Sequence, residues 1–307
     1  MFEITFLGTS ASAPSVHRGL SSQVVSFRDH RFLIDCGEGT QRQILRSGIG
    51  FRRLNRILIT HGHLDHMLGL AGLLSTFSRW EAIEELEIWA GEWAMGRIHD
   101  LLFNVVLRGA RPSLDINLYI IEPGTLLEDD NFKLSAFPVT HRGPDCFGFL
   151  FEEKSRRPFL PEQADNLGVP VGPIRRNLVN GETVTLPNGR TISPEDVLGP
   201  SRPGTRLVHV GDCGRTDNLR DVCQDADGLV IEATYTNADH DLARKFGHLT
   251  ARQAAELARD CNVGALYLTH ISRRYRERQI REDALAVFPN VTVARDFDQV
   301  QIRRAGS

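Results

Sequence analysis

Runs of alternating or continuous apolar residues recur along the chain, separated by Gly, Pro, Asn and Asp clusters. They predict strands over residues 3–7, 23–27, 31–34, 56–60, 132–137, 147–151, 206–210, 228–231 and 265–269. Between them the apolar period changes to that of a helix. Two such segments stand out: 40–47, stopped by Gly48, and 250–261, N-capped by Thr250 or a neighbour. Strand-like and helix-like segments in alternation predict a layered α/β domain. One stretch breaks the rhythm. From about 152 to 206 the chain is rich in Pro, Gly and polar residues, and a structureless connection of that length inside a compact domain is uncommon. We expect one domain over 1–307 with a protruding arm inserted at about 152–180, followed by a small hairpin over 182–192 that turns at Pro187-Asn188-Gly189. A disordered surface insertion is the competing reading.

Composition narrows the picture modestly. The 307 residues, 41% apolar and 24% charged, suit a soluble globular protein with one substantial core. The N-terminus has no basic segment followed by an apolar stretch, and no apolar run reaches membrane-spanning length, so neither a signal peptide nor a membrane partner is expected. Five cysteines, at 36, 146, 213, 223 and 261, form no C-x-x-C pair. A disulfide framework and a thiolate metal site are both disfavoured, and a reducing cytoplasm fits. The net charge of −3 does not advertise nucleic-acid binding. The basic residues are nevertheless almost all arginine, since lysine occurs only at 133, 154 and 245. Arginine suits phosphate, although genomic base composition explains the bias more simply.

The chemistry concentrates in His61-Gly-His63-Leu-Asp65-His66, which follows the apolar run 56–60 and precedes a helix-like segment. Imidazoles and a carboxylate are zinc ligands, and four within six residues at a strand-to-helix turn are rarely structural. Three separate apolar runs end in Thr-His, at His61, His141 and His270, and a fourth ends in Asp212. Ligands at several strand ends can converge on one rim of a sheet, where α/β proteins place their sites. His61, His63, Asp65, His66, His141, Asp212 and His270 exceed the needs of one tetrahedral ion. They serve two if a carboxylate bridges, and Asp212 would lie between two trios.

This H-x-H-x-D-H spacing, with later His, Asp and His at strand ends, resembles the metallo-β-lactamase superfamily. The resemblance implies an αββα sandwich holding two zinc ions per chain, with His61, His63 and His141 on the first, Asp65, His66 and His270 on the second, and Asp212 shared. Further segments resemble the ribonuclease Z family: Phe6-Leu-Gly-Thr-Ser-Ala-Ser-Ala-Pro14 with Arg18, Phe32-Leu-Ile-Asp-Cys-Gly-Glu-Gly-Thr-Gln41, Leu167-Gly-Val-Pro-Val-Gly-Pro173, Gly247-His248-Leu-Thr250, and His270-Ile-Ser-Arg-Arg-Tyr275. Leu64, Leu249, Arg273 and Ile231 depart from that family's usual residues, but none is a ligand position. The resemblance implies removal of the 3′ trailer from precursor tRNA by a homodimer, with one subunit's arm gripping tRNA at the other's site. Asp35 is expected to orient a ligand histidine. Asp65 would ligate metal and take the nucleophile's proton, and His248 would stabilise the reacting phosphate or protonate the leaving 3′ oxygen. Arg274 would contact the phosphate or the adjoining nucleotide, although the charged run 273–281 is equally a solvated helix face. Pro170, Gly172 and Pro173 would stiffen the arm, and Arg175 and Arg176 would meet tRNA phosphates. The nearest rival is a two-metal hydrolase of small phosphodiesters, which has no need of the arm. A non-catalytic RNA-binding relative would lose ligands, and here all are kept.

Overall fold

The computed structural model describes residues 1–80 and 83–304. The chain forms two compact units, one of Met1–Glu152 with Thr205–Ser307 and one of Glu153–Gly204. In chain order the strands are β1 (Phe2–Gly8), β2 (Ser22–Phe27), β3 (His30–Ile34), β4 (Arg56–Leu58), β5 (Glu85–Ala90), β6 (Asp115–Ile120), β7 (Gly124–Glu128), β8 (Phe132–Pro138), β9 (Phe147–Glu153), β10 (Val184–Thr185), β11 (Thr191–Ile192), β12 (Arg206–His209), β13 (Gly228–Glu232), β14 (Leu266–Thr269), β15 (Val291–Val293) and β16 (Gln299–Ile302).

The larger unit holds two mixed sheets. The first runs β16-β1-β2-β3-β4-β5-β6 and the second β15-β14-β13-β12-β9-β8-β7. In the first, β3 to β6 are parallel and β16, β1, β2 and β3 antiparallel; in the second, β12 to β15 are parallel. Period-two alternation explains how they stack. Phe2, Ile4 and Phe6 of β1 and Phe147, Phe149 and Phe151 of β9 are buried in one cluster with Phe27, Phe32 and Phe132, and Phe32 meets Phe151 edge-on at 5.5 Å. Truncating one such ring to Ala typically costs about 3–5 kcal/mol. The outer faces carry helices. Ile44, Leu70, Leu73 and Phe77 pack on Val24, Leu33 and Ile57 of the first sheet, while Ala254, Leu257 and Ile280 pack on Val208, Leu229 and Leu266 of the second. The result is the αββα order of layers.

Local signals set the element ends. The helix Thr40–Ser47 stops at Gly48, which sits at φ 75°. The helix Ala251–Asp260 begins in a reciprocal cap, with the Thr250 side chain accepting from the Gln253 amide and the Gln253 side chain accepting from the Thr250 amide. β4 ends at Leu58 rather than Thr60, because the Thr60 amide donates to the Asp35 carboxylate at 2.8 Å.

The second unit has its own small core of Ala164, Val169, Leu178, Val184, Leu186, Ile192, Val197 and Leu198. These residues come from the helices Pro161–Asn166, Pro173–Val179 and Pro194–Val197 and from the β10–β11 hairpin, which turns through Gly189 at φ 82°. Because helices and hairpin share one core, the unit runs from Glu153 to Gly204 instead of ending near 180. A bridge between Arg156 and Arg202 closes its base. The five cysteines are free and buried. Among the described residues no helix is long and apolar enough to cross a membrane.

Candidate metal centre

The ligand candidates collect where strands of both sheets end. His61 follows β4 of the first sheet, and a short 3-10 turn, Leu64–His66, carries Asp65 and His66 just beyond it. His141, Asp212 and His270 follow β8, β12 and β14 of the second sheet. Asp35, at φ 58°, and His270, at φ 56°, occupy the left-handed region that side chains disfavour. Such strain persists only where the surroundings enforce it.

The side chains form two groups around Asp212. In the first, His61 Nε2 lies 2.9 Å from His63 Nδ1 and 3.8 Å from Asp212 Oδ2, and His141 Nε2 lies 3.4 Å from His63 Nδ1 and 3.7 Å from Asp212 Oδ2. In the second, Asp65 Oδ2 is 3.7 Å from His66 Nε2 and 3.6 Å from His270 Nε2, and Asp212 Oδ1 is 3.5 Å and 3.3 Å from the same nitrogens. Ligand atoms bound at about 2.0–2.1 Å around a tetrahedral ion stand about 3.3 Å apart. The observed spacings are those of groups able to hold a metal ion, and Asp212 turns one oxygen toward each group. The chemistry of the unmet atoms agrees. His66 Nε2, His270 Nε2 and Asp212 Oδ1 are buried and without a hydrogen bond, a cost of about 1–3 kcal/mol each unless a cation supplies the partner.

Every histidine but one is turned by its other nitrogen. His66 Nδ1–H donates to Asp35 Oδ2 at 2.7 Å, and His141 Nδ1–H donates to the Gly247 carbonyl at 2.7 Å. The Thr60 hydroxyl donates to Asp35 and accepts from His61 Nδ1 at 3.0 Å. The Thr234 hydroxyl donates to Glu232 Oε2 at 2.6 Å and accepts from His270 Nδ1 at 2.9 Å. His63 is reversed and presents Nδ1 to the group. Burial lowers the pKa of His61, His63 and His141, which favours the neutral imidazole that a metal ligand must be. Burial pushes the Asp212 carboxyl up, but the facing His270 and His66 outweigh it and hold the group well below the ordinary range. Asp65 is lowered likewise, against burial, by the facing His270 and His66, and it accepts the Ser12 amide at 3.0 Å.

His248 lies beside the groups, its Nδ1 3.9 Å from Asp212 Oδ2 and 2.9 Å from Glu232 Oε1. Burial alone would lower its pKa; the buried Glu232 carboxylate reverses that and pushes it up to about 9. Sequence reasoning missed Glu232 and Thr234. The available signal was an acid closing β13, a strand buried at all five positions. Ser12, His63, Asp65, Asp212, Tyr235 and His248 help to line an open cleft of about 320 Å³.

Arg274 is exposed on the turn after His270; burial raises the pKa of Tyr235, and the Arg274 charge offsets part of that rise. Pro170, Gly172, Pro173 and Arg176 are exposed in the Glu153–Gly204 unit. Arg175 is turned inward: it pairs with Asp165, donates to the Val169 and Pro170 carbonyls, and lies over the Phe159 ring. Of the two arginines, Arg176 is the one left to solvent.

Comparison with known proteins gives consistent relatives. A family model described as Anti-Pycsar protein Apyc1 matches residues 2–156, and a β-lactamase superfamily domain model matches 184–271. The chain is 46% identical over 302 residues to a Ribonuclease Z of Bradyrhizobium diazoefficiens, covering 98% of this chain and 100% of the relative. It is 38% identical to a Ribonuclease Z of Archaeoglobus fulgidus, covering 98% of each. The crystal structure of human tRNase Z, short form, superposes with a TM-score of 0.69 at 26% identity, covering 98% of this chain and 99% of that one.

Proposed function

The chain belongs to the ribonuclease Z family, and from that premise we propose that it is a metal-dependent endoribonuclease that removes the 3′ trailer from precursor tRNA, leaving a 3′-hydroxyl on the tRNA and a 5′-phosphate on the trailer. The observation that carries the chemistry is the pair of ligand groups joined through Asp212. In this reading His61, His63 and His141 would hold one zinc ion, Asp65, His66 and His270 a second, and Asp212 would serve both. When bound, such a pair activates water and neutralises charge on the phosphate oxygens.

The protein's own groups complete the reaction. Asp65, fixed by the Ser12 amide, orients the attacking water and accepts its proton. His248, kept cationic by Glu232, donates a proton to the departing 3′ oxygen of the tRNA, so the P–O3′ bond breaks without releasing an alkoxide. Arg274, on the turn beside Tyr235, meets the phosphate or the adjoining nucleotide. The Glu153–Gly204 unit binds tRNA and does no chemistry, with Pro170, Gly172 and Pro173 shaping its loop, Arg175 bracing it and Arg176 facing the backbone. As the family resemblance implies, the enzyme works as a homodimer in which this unit serves the partner's site. The unpaired cysteines fit a cytoplasmic setting.

The test combines two substrates and metal analysis. Purified protein should carry two zinc ions per chain, cut a 3′-extended precursor tRNA at one position, and hydrolyse bis(p-nitrophenyl) phosphate. Replacing residues 157–201, between the bridged Arg156 and Arg202, by a short glycine linker should weaken precursor binding on the order of 10²-fold while hydrolysis of the small ester persists. Equal loss of both activities in a folded, fully metallated variant would make the unit part of the reaction site instead.

A further inference from the structure

Phe246 is a large aromatic side chain that helps to build no core. It belongs to none of the four hydrophobic clusters, stays 37% exposed, and borders the same cleft as His63, Asp65 and His248. Two cations lie near its ring, the Arg142 guanidinium 5.9 Å and the Lys245 ammonium 5.7 Å from the centroid. Among the described residues no carboxylate pairs with either. Arg142 immediately follows His141 and itself lines the cleft.

The backbone ties this ring to the metal-facing groups. Phe246 ends the helix His240–Phe246, and Gly247 caps it at φ 70°. That left-handed turn sets Phe246 and His248, on either side of Gly247, along one cleft. The Gly247 carbonyl accepts from His141 Nδ1 at 2.7 Å. A Cβ at Gly247 would stand 2.8 Å from Arg142 Cγ, so the arginine stem lies directly on this backbone. Tyr235, the other aromatic of the cleft, is engaged differently: its ring packs 6.2 Å from His248 and 6.4 Å from Tyr275, forming a wall.

A part-exposed aromatic ring accompanied by two cations without a carboxylate partner, beside a phosphodiester-cleaving centre, suits a nucleobase and its neighbouring phosphates. We propose that Phe246 is the stacking surface for the base of a nucleotide adjoining the scissile phosphate, with Arg142 and Lys245 facing the phosphates next to it. The inference rests on the ribonuclease reading and adds a residue that senses the unpaired base without regard to its identity.

Phe246→Ala should raise KM for precursor tRNA about 10- to 100-fold with kcat nearly unchanged, and Phe246→Trp should restore KM. Precursors with an abasic nucleotide on the 5′ or on the 3′ side of the cleavage point identify the stacked base. One of the two should cost the wild-type protein the same factor and cost Phe246→Ala nothing further. A Phe246→Ala protein with wild-type KM and the same sensitivity to both abasic substrates would overturn the proposal. Cleavage of the intact precursor by the wild-type protein tests the tRNA reading separately. If that fails, quenching of 2-aminopurine in a short oligoribonucleotide decides the stack alone: it should be present in wild type and lost in Phe246→Ala, and equal quenching in both would overturn it.

Discussion

Asp35 and Glu232 are near-counterparts on opposite sheets. Each is a fully buried carboxylate at the end of a strand, Asp35 just past β3 and Glu232 closing β13. Each accepts from backbone amides, Asp35 from Thr60 and Glu232 from Cys213 and Leu249. Each takes a threonine hydroxyl that in turn holds a ligand histidine, His61 on one side and His270 on the other. Each also takes one histidine directly. There they part. The histidine on Asp35, His66, aims its far nitrogen into a ligand group, whereas the histidine on Glu232, His248, faces the cleft outside both trios. One device thus orients ligand candidates on the first sheet, and on the second also raises the pKa of a cleft histidine, the proton donor of the proposed reaction.

The contrast breaks most sharply at His248. His248→Ala should cut turnover on precursor tRNA by about 10²–10⁴-fold with metal content unchanged; parallel loss of metal, read by elemental analysis, would move His248 into the ligand set. The two carboxylates should then fail differently. Asp35→Asn should weaken metal binding about 10- to 100-fold, seen as partial metal occupancy and restored activity at high zinc. Glu232→Gln should keep its metal and lose about tenfold in turnover, with no rescue by added zinc. Identical behaviour of the two variants would erase the division of labour.

A smaller effect separates the interlayer core from the site. His209 of β12 is buried against Gln23 of β2, its Nε2 2.8 Å from the amide oxygen, and burial lowers its pKa from 6.5 to about 4. The unfolded chain therefore binds the proton first. The contribution is whole above pH 6.5 and is lost as pH falls through 4, up to about 3 kcal/mol in all and about 2 kcal/mol by pH 5. Thermal melts at pH 7 and pH 5 should show a smaller drop for His209→Gln than for the wild-type protein. An unchanged drop would assign acid sensitivity to the carboxylates of the site.

Strands that lead into ligand candidates were legible because an apolar run precedes a Thr-His or Gly-Asp pair, as Leu266–Thr269 precedes His270. β5, β6, β7 and the short β15 and β16 were not foreseen; β6, with Asn117 among half-exposed neighbours, carries a weak pattern. Asp35 could be read from its motif. The partnership of Glu232 with His248 could not, because it depends on β13 lying parallel between β12 and β14, which is tertiary information. The arm was legible as an irregular stretch but its limit was not, since Ala164 and Ile192 declare a common core only once folded.

Each ligand trio draws from both sheets: His61 and His63 with His141, and Asp65 and His66 with His270. This sets an order of events during synthesis. When the first sheet's four candidates have left the ribosome, neither trio is complete, and His270 emerges only near the end of the 307-residue chain. Full loading must therefore follow construction of the second sheet. In the two-ion reading proposed above, the ions would act as late rivets between layers already stacked, and a chain truncated before β14 should fold in part yet never retain a metal pair.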